Sequence, residues 1–389
     1  MTPAIAAAPA KPKKTLVRRR SADRSQQARR AVQFAFLLLN LALGVQFVLW
    51  VRYFENNGAT MYVDRPAGVD GWLPIAGLIN LRYFFATGRI PEVHPSAMVL
   101  FGVFVLASLL LKKSFCSWLC PVGTLSEYLW KFGRKVFHRN LNVPRWLDLP
   151  LRSLKYLLLA FFLYIVFTMP VDGLIGFLMS PFGLVADVKM LNFFRYLGTV
   201  GLTVIMVMVA LSVVIQNFWC RYLCPYGALM GIVSTLSPVK IRRDAAACID
   251  CGKCNKTCPS HLPVDQLIQI RSVECTACLE CVAVCPAENA LQFSLMPKRQ
   301  VARGQGDKGT SLQVDWGTGW NIPATVVSTQ ADIASRWKGR ALKPWTVAAM
   351  LALIFFGLVG AARITGHWQT NLSREIYMEL VPNAQNFEH

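Results

Sequence analysis

Two cysteine runs constrain this chain more than any other feature. The first is Cys248-Ile249-Asp250-Cys251-Gly252-Lys253-Cys254-Asn255-Lys256-Thr257-Cys258-Pro259. The second is Cys275-Thr276-Ala277-Cys278-Leu279-Glu280-Cys281-Val282-Ala283-Val284-Cys285-Pro286. Each is the C-x2-C-x2-C-x3-C-P run of bacterial two-cluster ferredoxins. Three closely spaced thiolates wrap one corner of a cubane, and the fourth, beside a chain-turning proline, points to the other cluster. The spacing therefore predicts one [4Fe–4S] cluster on Cys248, Cys251, Cys254 and Cys285. A second falls to Cys258, Cys275, Cys278 and Cys281. A pair of zinc sites would instead use closed tetrahedral sets, usually two C-x2-C pairs split by a loop. The crossed pattern, twice ending in Cys-Pro, disfavours zinc.

The rest of the chain is too apolar for an ordinary soluble domain. It is 54% hydrophobic and 16% charged, against roughly a quarter charged in soluble proteins. Five stretches approach the roughly 20 residues that cross a hydrocarbon core: Val32–Tyr53, Pro95–Leu111, Leu151–Met169, Tyr196–Phe218 and Pro344–Ile364. Lys112 and Lys113 are placed to snorkel from the second. The net charge of +20 gathers beside these runs, mainly in 11–30 and 112–155, so it marks the inner side of a membrane protein and not a nucleic-acid surface. The positive-inside rule puts the N-terminus, the 112–155 loop and residues 221–343 in the cytoplasm, and the C-terminal tail outside. No small-residue cleavage site follows the first apolar run, so a retained helix is expected, not a removed signal peptide. The basic tail also suits anionic lipid head groups.

The remaining four of the 12 cysteines lie in an internal repeat. Phe115-Cys116-Ser117-Trp118-Leu119-Cys120-Pro121 answers Trp219-Cys220-Arg221-Tyr222-Leu223-Cys224-Pro225, each at the inner end of an even-numbered span. Upstream, Val69-Asp70-Gly71 answers Val171-Asp172-Gly173. The pattern predicts one hairpin present twice in the same orientation, with short apolar stretches at Trp72–Phe85 and Leu174–Val185 lying at the interface. Cysteines at i and i+4 share a helical face, and the following proline ends the helix and opens the next. If the repeat brings both ends together, Cys116, Cys120, Cys220 and Cys224 form a third metal or redox site. Buried inert cysteines and a redox thiol pair are the alternatives.

Two membrane C-x3-C-P repeats, a following double ferredoxin motif and a basic N-terminus resemble the NapH/NosR/YccM-type membrane polyferredoxins, over Val32–Phe293. The resemblance implies a multi-pass protein of the bacterial inner membrane that passes electrons between the quinone pool and a redox partner. It implies cluster ligation by the eight ferredoxin cysteines and leaves the C-x3-C-P role open. A large periplasmic flavin domain, as in NosR, and the periplasmic C-terminal domain of cytochrome-oxidase assembly relatives have no counterpart in the sequence.

Other residues carry less. None of His94, His138, His261, His367 and His389 lies within a span, so bis-histidine haem is not expected. Asp70 and Asp172 read first as Asp-Gly turns and second as proton acceptors for a quinol. No nucleotide loop or nucleophile constellation is present.

The expected fold is mainly α: a polytopic helix bundle of about five spans with a duplicated hairpin, plus a small α+β two-cluster ferredoxin module. The expected order is a basic disordered cytoplasmic tail (1–30), a membrane domain (31–237), the ferredoxin module (238–295), a polar Gly-rich linker (296–343), a fifth span (344–364) and a short external tail (365–389). The expected function is membrane electron transfer, as a carrier or a quinol-oxidising subunit. Its rivals are a copper-reducing assembly factor for an oxidase, since thiolates suit Cu(I), and a redox-sensing membrane scaffold.

Overall fold

In the computed structural model, residues 17–19, 23–138, 140–141, 143–295 and 340–387 are described. The Gly-rich linker and its Trp-containing stretch fall outside them, except for its last residues from Arg340. The chain divides into two units.

The larger unit comprises Arg24–Pro238, Arg271–Cys278 and Lys343–His389. Its helices are α1 (Ser25–Glu55), α2 (Pro74–Thr87), α3 (Pro95–Leu110), α4 (Ser114–Trp118), α5 (Pro121–Phe137), α6 (Arg145–Thr168), α7 (Val171–Met179), α8 (Pro181–Leu184), α9 (Ala186–Arg195), α10 (Thr199–Val214) and α11 (Pro225–Val233). A one-turn π-helix, Trp219–Leu223, lies between α10 and α11. Prolines open α2, α3, α5, α8 and α11, where a missing N–H costs nothing.

Among the described residues, three helices are long and apolar enough to cross a membrane: α1, α6 and the late helix Pro344–Ile364. A fourth span arises if α9 and α10, bent by 83°, are counted together. The expected second span is the 16-residue α3, a shorter apolar helix. Leu41 and Val45 on α1, Leu157 and Phe161 on α6, and Leu353 and Phe356 on the late helix are exposed. A bilayer would cover such surface.

The interior of this unit is built at helix ends and close crossings. Trp50, Val51 and Phe54 near the end of α1 pack with Val185, Val188, Tyr377, Leu380 and Val381, so the C-terminal segment is folded onto α1 through the helix Arg374–Leu380. Gly133 on α5 admits close approach of α10: a Cβ there would fall 1.9 Å from the Val213 carbonyl oxygen.

The basic segment expected to lack structure up to residue 30 is helical from Ser25. The reason is a buried ion pair. Arg29 donates to both Glu127 oxygens at 2.5 and 2.7 Å, while Gln26, Gln33 and Lys131 complete the network. Burial opposes ionisation of Glu127, but the bonds and charge of Arg29, with Lys131, outweigh it and hold the carboxyl at about 2.

The smaller unit contains Val239–Ile270 and Leu279–Leu342, with the described residues 17–19 and 23. Strand β1 (Val239–Arg243) pairs antiparallel with β2 (Leu291–Leu295), in the register Val239↔Leu295, Ile241↔Phe293, Arg243↔Leu291. Two short helices, α12 (Lys253–Thr257) and α13 (Glu280–Ala283), carry cysteines between the strands. The N-terminal segment joins in: Arg19 N–H donates to the Pro286 carbonyl and Glu288 N–H to that of Val17. In chain order the two remaining helices are α14 (Pro344–Ile364) and α15 (Arg374–Leu380) of the larger unit.

Glu127→Gln should cost about 3–5 kcal/mol at pH 7, because it strands a buried guanidinium. A carboxyl whose folded pKa is depressed adds stability above its unfolded pKa and loses it as pH falls toward the folded one. The wild-type advantage in thermal unfolding in detergent should therefore close between about pH 4.5 and 2. Equal stability at pH 7 would refute the assignment.

Candidate iron–sulfur and thiol sites

Four of the ferredoxin cysteines converge within the smaller unit. Cys248, Cys251 and Cys254 line one cavity with Cys285, from the other end of the motif pair. It measures ≈ 350 Å³ counting its open mouth, and Gly252, Lys253, Asp265, Arg243 and Leu291 complete it. Gly252 at φ 66° turns the chain into α12, a left-handed conformation suited to glycine. Burial pushes the Cys254 thiol up to about 11, and Asp265 and Cys248 add to it; burial likewise pushes up Cys285. These thiols ionise only with a cation to compensate them. Among the described residues no three His, Cys, Asp or Glu side chains stand close enough to hold a single metal ion. Four thiols that line one cavity and come from both motifs match the crossed pairing of a two-cluster ferredoxin, where closed zinc would use two C-x2-C pairs.

The other predicted set is divided between the units. Cys258, extended at the end of α12 before Pro259, and Cys281, buried on α13, belong to the smaller one. Cys275 and Cys278 belong to the larger one, in the segment Arg271–Cys278.

The two C-x3-C-P motifs share a local design. Cys120 and Cys224 are extended, at ψ 120° and 104°, and each caps a helix opened by Pro121 or Pro225. The Gly227 N–H donates to Cys224 Sγ at 3.3 Å. Gly123 lets the new helix pass the preceding turn, since a Cβ there would lie 2.1 Å from the Cys116 carbonyl oxygen. One helical face shared by i and i+4 cysteines does not describe this geometry. The apolar helices α3 and α10 end earlier, Cys116 sits in the separate short α4 and Cys220 in the π-turn. The proline forces the second cysteine out of the helix.

All four thiols nonetheless lie within electrostatic reach of one another. Burial pushes Cys116 up to about 12; Lys113 opposes this, and Cys120 and Cys224 reinforce it. Burial pushes Cys120 up to about 11, countered by the Gly123 N–H and reinforced by Cys224. Cys220 is raised by burial and then by Cys224, Cys120 and Cys116. Tyr226 flanks the group, with its ring 5.9 Å from Phe115.

Two charged groups were hidden in the sequence. Lys112 and Lys113, expected to snorkel, are 0% and 3% exposed: Lys112 Nζ reaches inward to the Ser272 carbonyl at 3.1 Å. Lys155 is equally buried and pairs with Glu274 at 2.6 Å. Elsewhere, Asp70 is no solvated turn. It is fully buried and takes hydrogen bonds from Arg65, His94 and Ser96, and the same Arg65 nitrogen also donates to Asp187. Burial opposes its charge, yet Arg65 and His94 hold the carboxyl well below the usual range. Its repeat counterpart Asp172 is exposed on the first turn of α7, so the two aspartates are not equivalent.

Comparison with known proteins agrees with the cysteine geometry. A family model described as a 4Fe-4S binding domain matches twice, at residues 93–140 and 197–244, each match holding one C-x3-C-P motif. A 4Fe-4S dicluster domain model matches residues 240–286. YccM of Escherichia coli K12, named as a candidate electron transport protein, is 46% identical over 361 residues, covering 93% of this chain and 91% of YccM. The chain belongs to the YccM-like family of ferredoxin-type membrane proteins. The ferredoxin-type protein NapH of the same organism is 26% identical over 268 residues, 66% of this chain and 85% of NapH. The methylamine utilization ferredoxin-type protein MauN of Paracoccus denitrificans is 30% identical over 194 residues, 49% of this chain and 62% of MauN. No solved structure matches significantly. Like its YccM-like relatives, the chain is a ferredoxin-type electron-transport protein with 4Fe-4S domains and membrane-compatible helices.

Because Cys248 and Cys285 line one cavity, Cys248→Ser and Cys285→Ser should remove the same EPR signal of the anaerobically purified protein and the same share of its iron. Loss of different signals would reject the crossed assignment.

Proposed function

We propose that this protein carries electrons between the quinone pool and a redox partner protein through two [4Fe–4S] clusters. The observation that carries the reading is the cavity ringed by Cys248, Cys251, Cys254 and Cys285. In this reading those residues hold one cluster and Cys258, Cys275, Cys278 and Cys281 hold the other. Bound clusters of this type supply one-electron storage at potentials set by hydrogen bonds, charge and solvent exposure. The chain's own contribution is to exclude water and to place charge: Lys253 and Arg243 border the first cavity, where positive charge favours the reduced state.

The reading also makes Cys116, Cys120, Cys220 and Cys224 a third centre. Their mutual reach and the buried cation beside them support it. Five crossings built from a duplicated hairpin, with N-terminus and ferredoxin module on the cytoplasmic side, fit the distribution of basic residues. Under that topology α3 and α10 bring both thiol pairs to the inner face. A four-thiol set also suits Cu(I), which is the reaction partner a copper-handling assembly factor would need.

The anaerobically purified protein should hold about twelve iron atoms per chain, falling to about eight in the Cys116/Cys120/Cys220/Cys224 quadruple serine variant, by the four irons of each cluster. Quinol addition should reduce the clusters within mixing. Eight irons in both proteins would remove the third centre, copper in place of the missing iron would favour metal handling, and clusters inert to quinol would overturn the quinone link.

A further inference from the structure

Arg65, Asp70, His94 and Asp187 form a charged quartet at the start of α3. Asp70, His94 and Asp187 are buried, and the Arg65 side chain is 10% exposed. His94 Nδ1 lies 2.9 Å from Asp70 Oδ1, and Nε2 lies 3.1 Å from the Gly183 carbonyl of α8. Arg65 Nη2 is 3.2 Å from Nδ1, but its two hydrogens already point to Asp70 Oδ1 at 2.5 Å and Asp187 Oδ2 at 2.8 Å. Nδ1 therefore has no donor left to accept from. A carbonyl and a carboxylate only accept, so each ring nitrogen carries a hydrogen. That count makes His94 an imidazolium. Two cations and two carboxylates then balance, as buried charges require.

The backbone of the same residue is strained. His94 sits at φ 51°, ψ 46°, a left-handed conformation uncommon for a non-glycine residue, in front of a proline that favours extended backbone there. Asn80 of α2 holds the turn by donating to the carbonyls of Val93 and His94 at 3.0 and 2.9 Å. The His94 N–H donates to Thr370 Oγ1 at 3.2 Å, in the segment that leads to α15. Thr370 and Arg65 line one cavity with Asp64, Arg374 and Tyr377, ≈ 580 Å³ counting its open mouth. Solvent thus reaches the immediate neighbours of His94. Burial opposes charge on the ring and Arg65 repels it, yet the charge and hydrogen bond of Asp70, with the charge of Asp187, raise it above its ordinary value. Tyr377 stays neutral, pushed up to about 12 chiefly by burial.

We propose that His94 is a proton-binding site whose imidazolium latches the turn before α3 and, through Thr370, the C-terminal segment, and that loss of the proton releases both. Losing one hydrogen leaves a bare ring nitrogen against the Gly183 carbonyl or the Asp70 carboxylate. It also leaves two buried carboxylates sharing one guanidinium. The turn then lacks the side-chain bonds that offset its backbone strain. Because the ring is raised, the latch is closed below the ordinary histidine value and opens as pH climbs through the higher folded one. No cysteine takes part, so the latch is independent of the electron-transfer reading.

The test uses the full-length protein in detergent, with His138→Gln, His261→Gln, His367→Gln and His389→Gln combined and the remaining histidine labelled with nitrogen-15. Only His94 then reports in the NMR spectrum. Both ring nitrogens should be protonated at pH 7, and the second proton should leave above about 6.5, the ordinary histidine value. Hydrogen exchange of residues 368–384, read by mass spectrometry and corrected for its intrinsic pH dependence, should accelerate over the same interval in this protein and in the wild type. The rise should reach at most about tenfold per pH unit, the limit for one released proton. His94→Gln should remove that pH dependence. A neutral His94 ring at pH 7 overturns the proton site, and a ring that titrates while exchange of 368–384 stays unchanged overturns the latch. Should His94→Gln not fold, the paired titration and exchange of the single-histidine protein decide by themselves.

Discussion

Four backbone carbonyls in the segment Ser272–Cys278 need donors, and the way they find them organises the larger unit. Ser272, Thr276, Ala277 and Cys278 receive bonds from Lys112, Ser117, Trp118 and Gln26. A buried carbonyl left unpaired would cost about 1–3 kcal/mol. Those donors come from the start of α1 and the turns following α3, so the same bonds that satisfy a cysteine-bearing loop fix the first C-x3-C-P turn. Glu127 extends the arrangement: it fastens Arg29 one turn beyond Gln26, and Gln33 bonds both to Glu127 and to the Ser117 carbonyl.

Proline sets the geometry of both C-x3-C-P motifs and of the end of the first ferredoxin run. Cys120, Cys224 and Cys258 each precede a proline and are extended, because the proline ring clashes with a helical residue before it. In the C-x3-C-P turns this breaks the shared helical face that i, i+4 spacing suggests and turns the second thiol out of the helix. In the ferredoxin runs it directs the fourth cysteine away from its own triplet. Cys285, the partner of the Cys248–Cys254 triplet in one cavity, was legible from spacing alone for that reason.

The charged interior was not legible. Arg65 finds Asp187 122 positions away, Lys155 finds Glu274 119 away, and Arg29 finds Glu127 98 away. No local pattern announces a partner at that distance. Read locally, Lys112 and Lys113 at the end of an apolar helix reach for water, and Asp70-Gly71 makes a turn. The first reading fails at Lys112 because the remote Ser272 carbonyl stands in for water, and the second because Arg65 and His94 supply Asp70 with the partners that water would otherwise provide. The expected second span matches α3 to within one residue, but Tyr196–Phe218 does not form one helix: α10 has 16 residues, about 24 Å at 1.5 Å per residue, and the chain breaks before the π-turn at Asn217, at positive φ.

The duplicated motif has therefore diverged in its surroundings more than in its cysteines. Lys112-Lys113 precedes the first copy where Gln216-Asn217 precedes the second. Asn217 serves Ser126 on α5, and Gln216 leaves its Oε1 buried without a partner. In the second copy Arg221 and Tyr222 stand where Ser117 and Trp118 stand in the first, and they bind Asp148 at the start of α6. The loop Arg271–Cys278 is bound by donors on the first copy, and that copy holds the lysines. A symmetric pair of helix ends would give four thiols in one environment. With the lysines on one copy, Lys113 acts on both Cys116 and Cys220, while burial, the Gly123 and Val122 N–H groups and Cys224 are the main influences on Cys120.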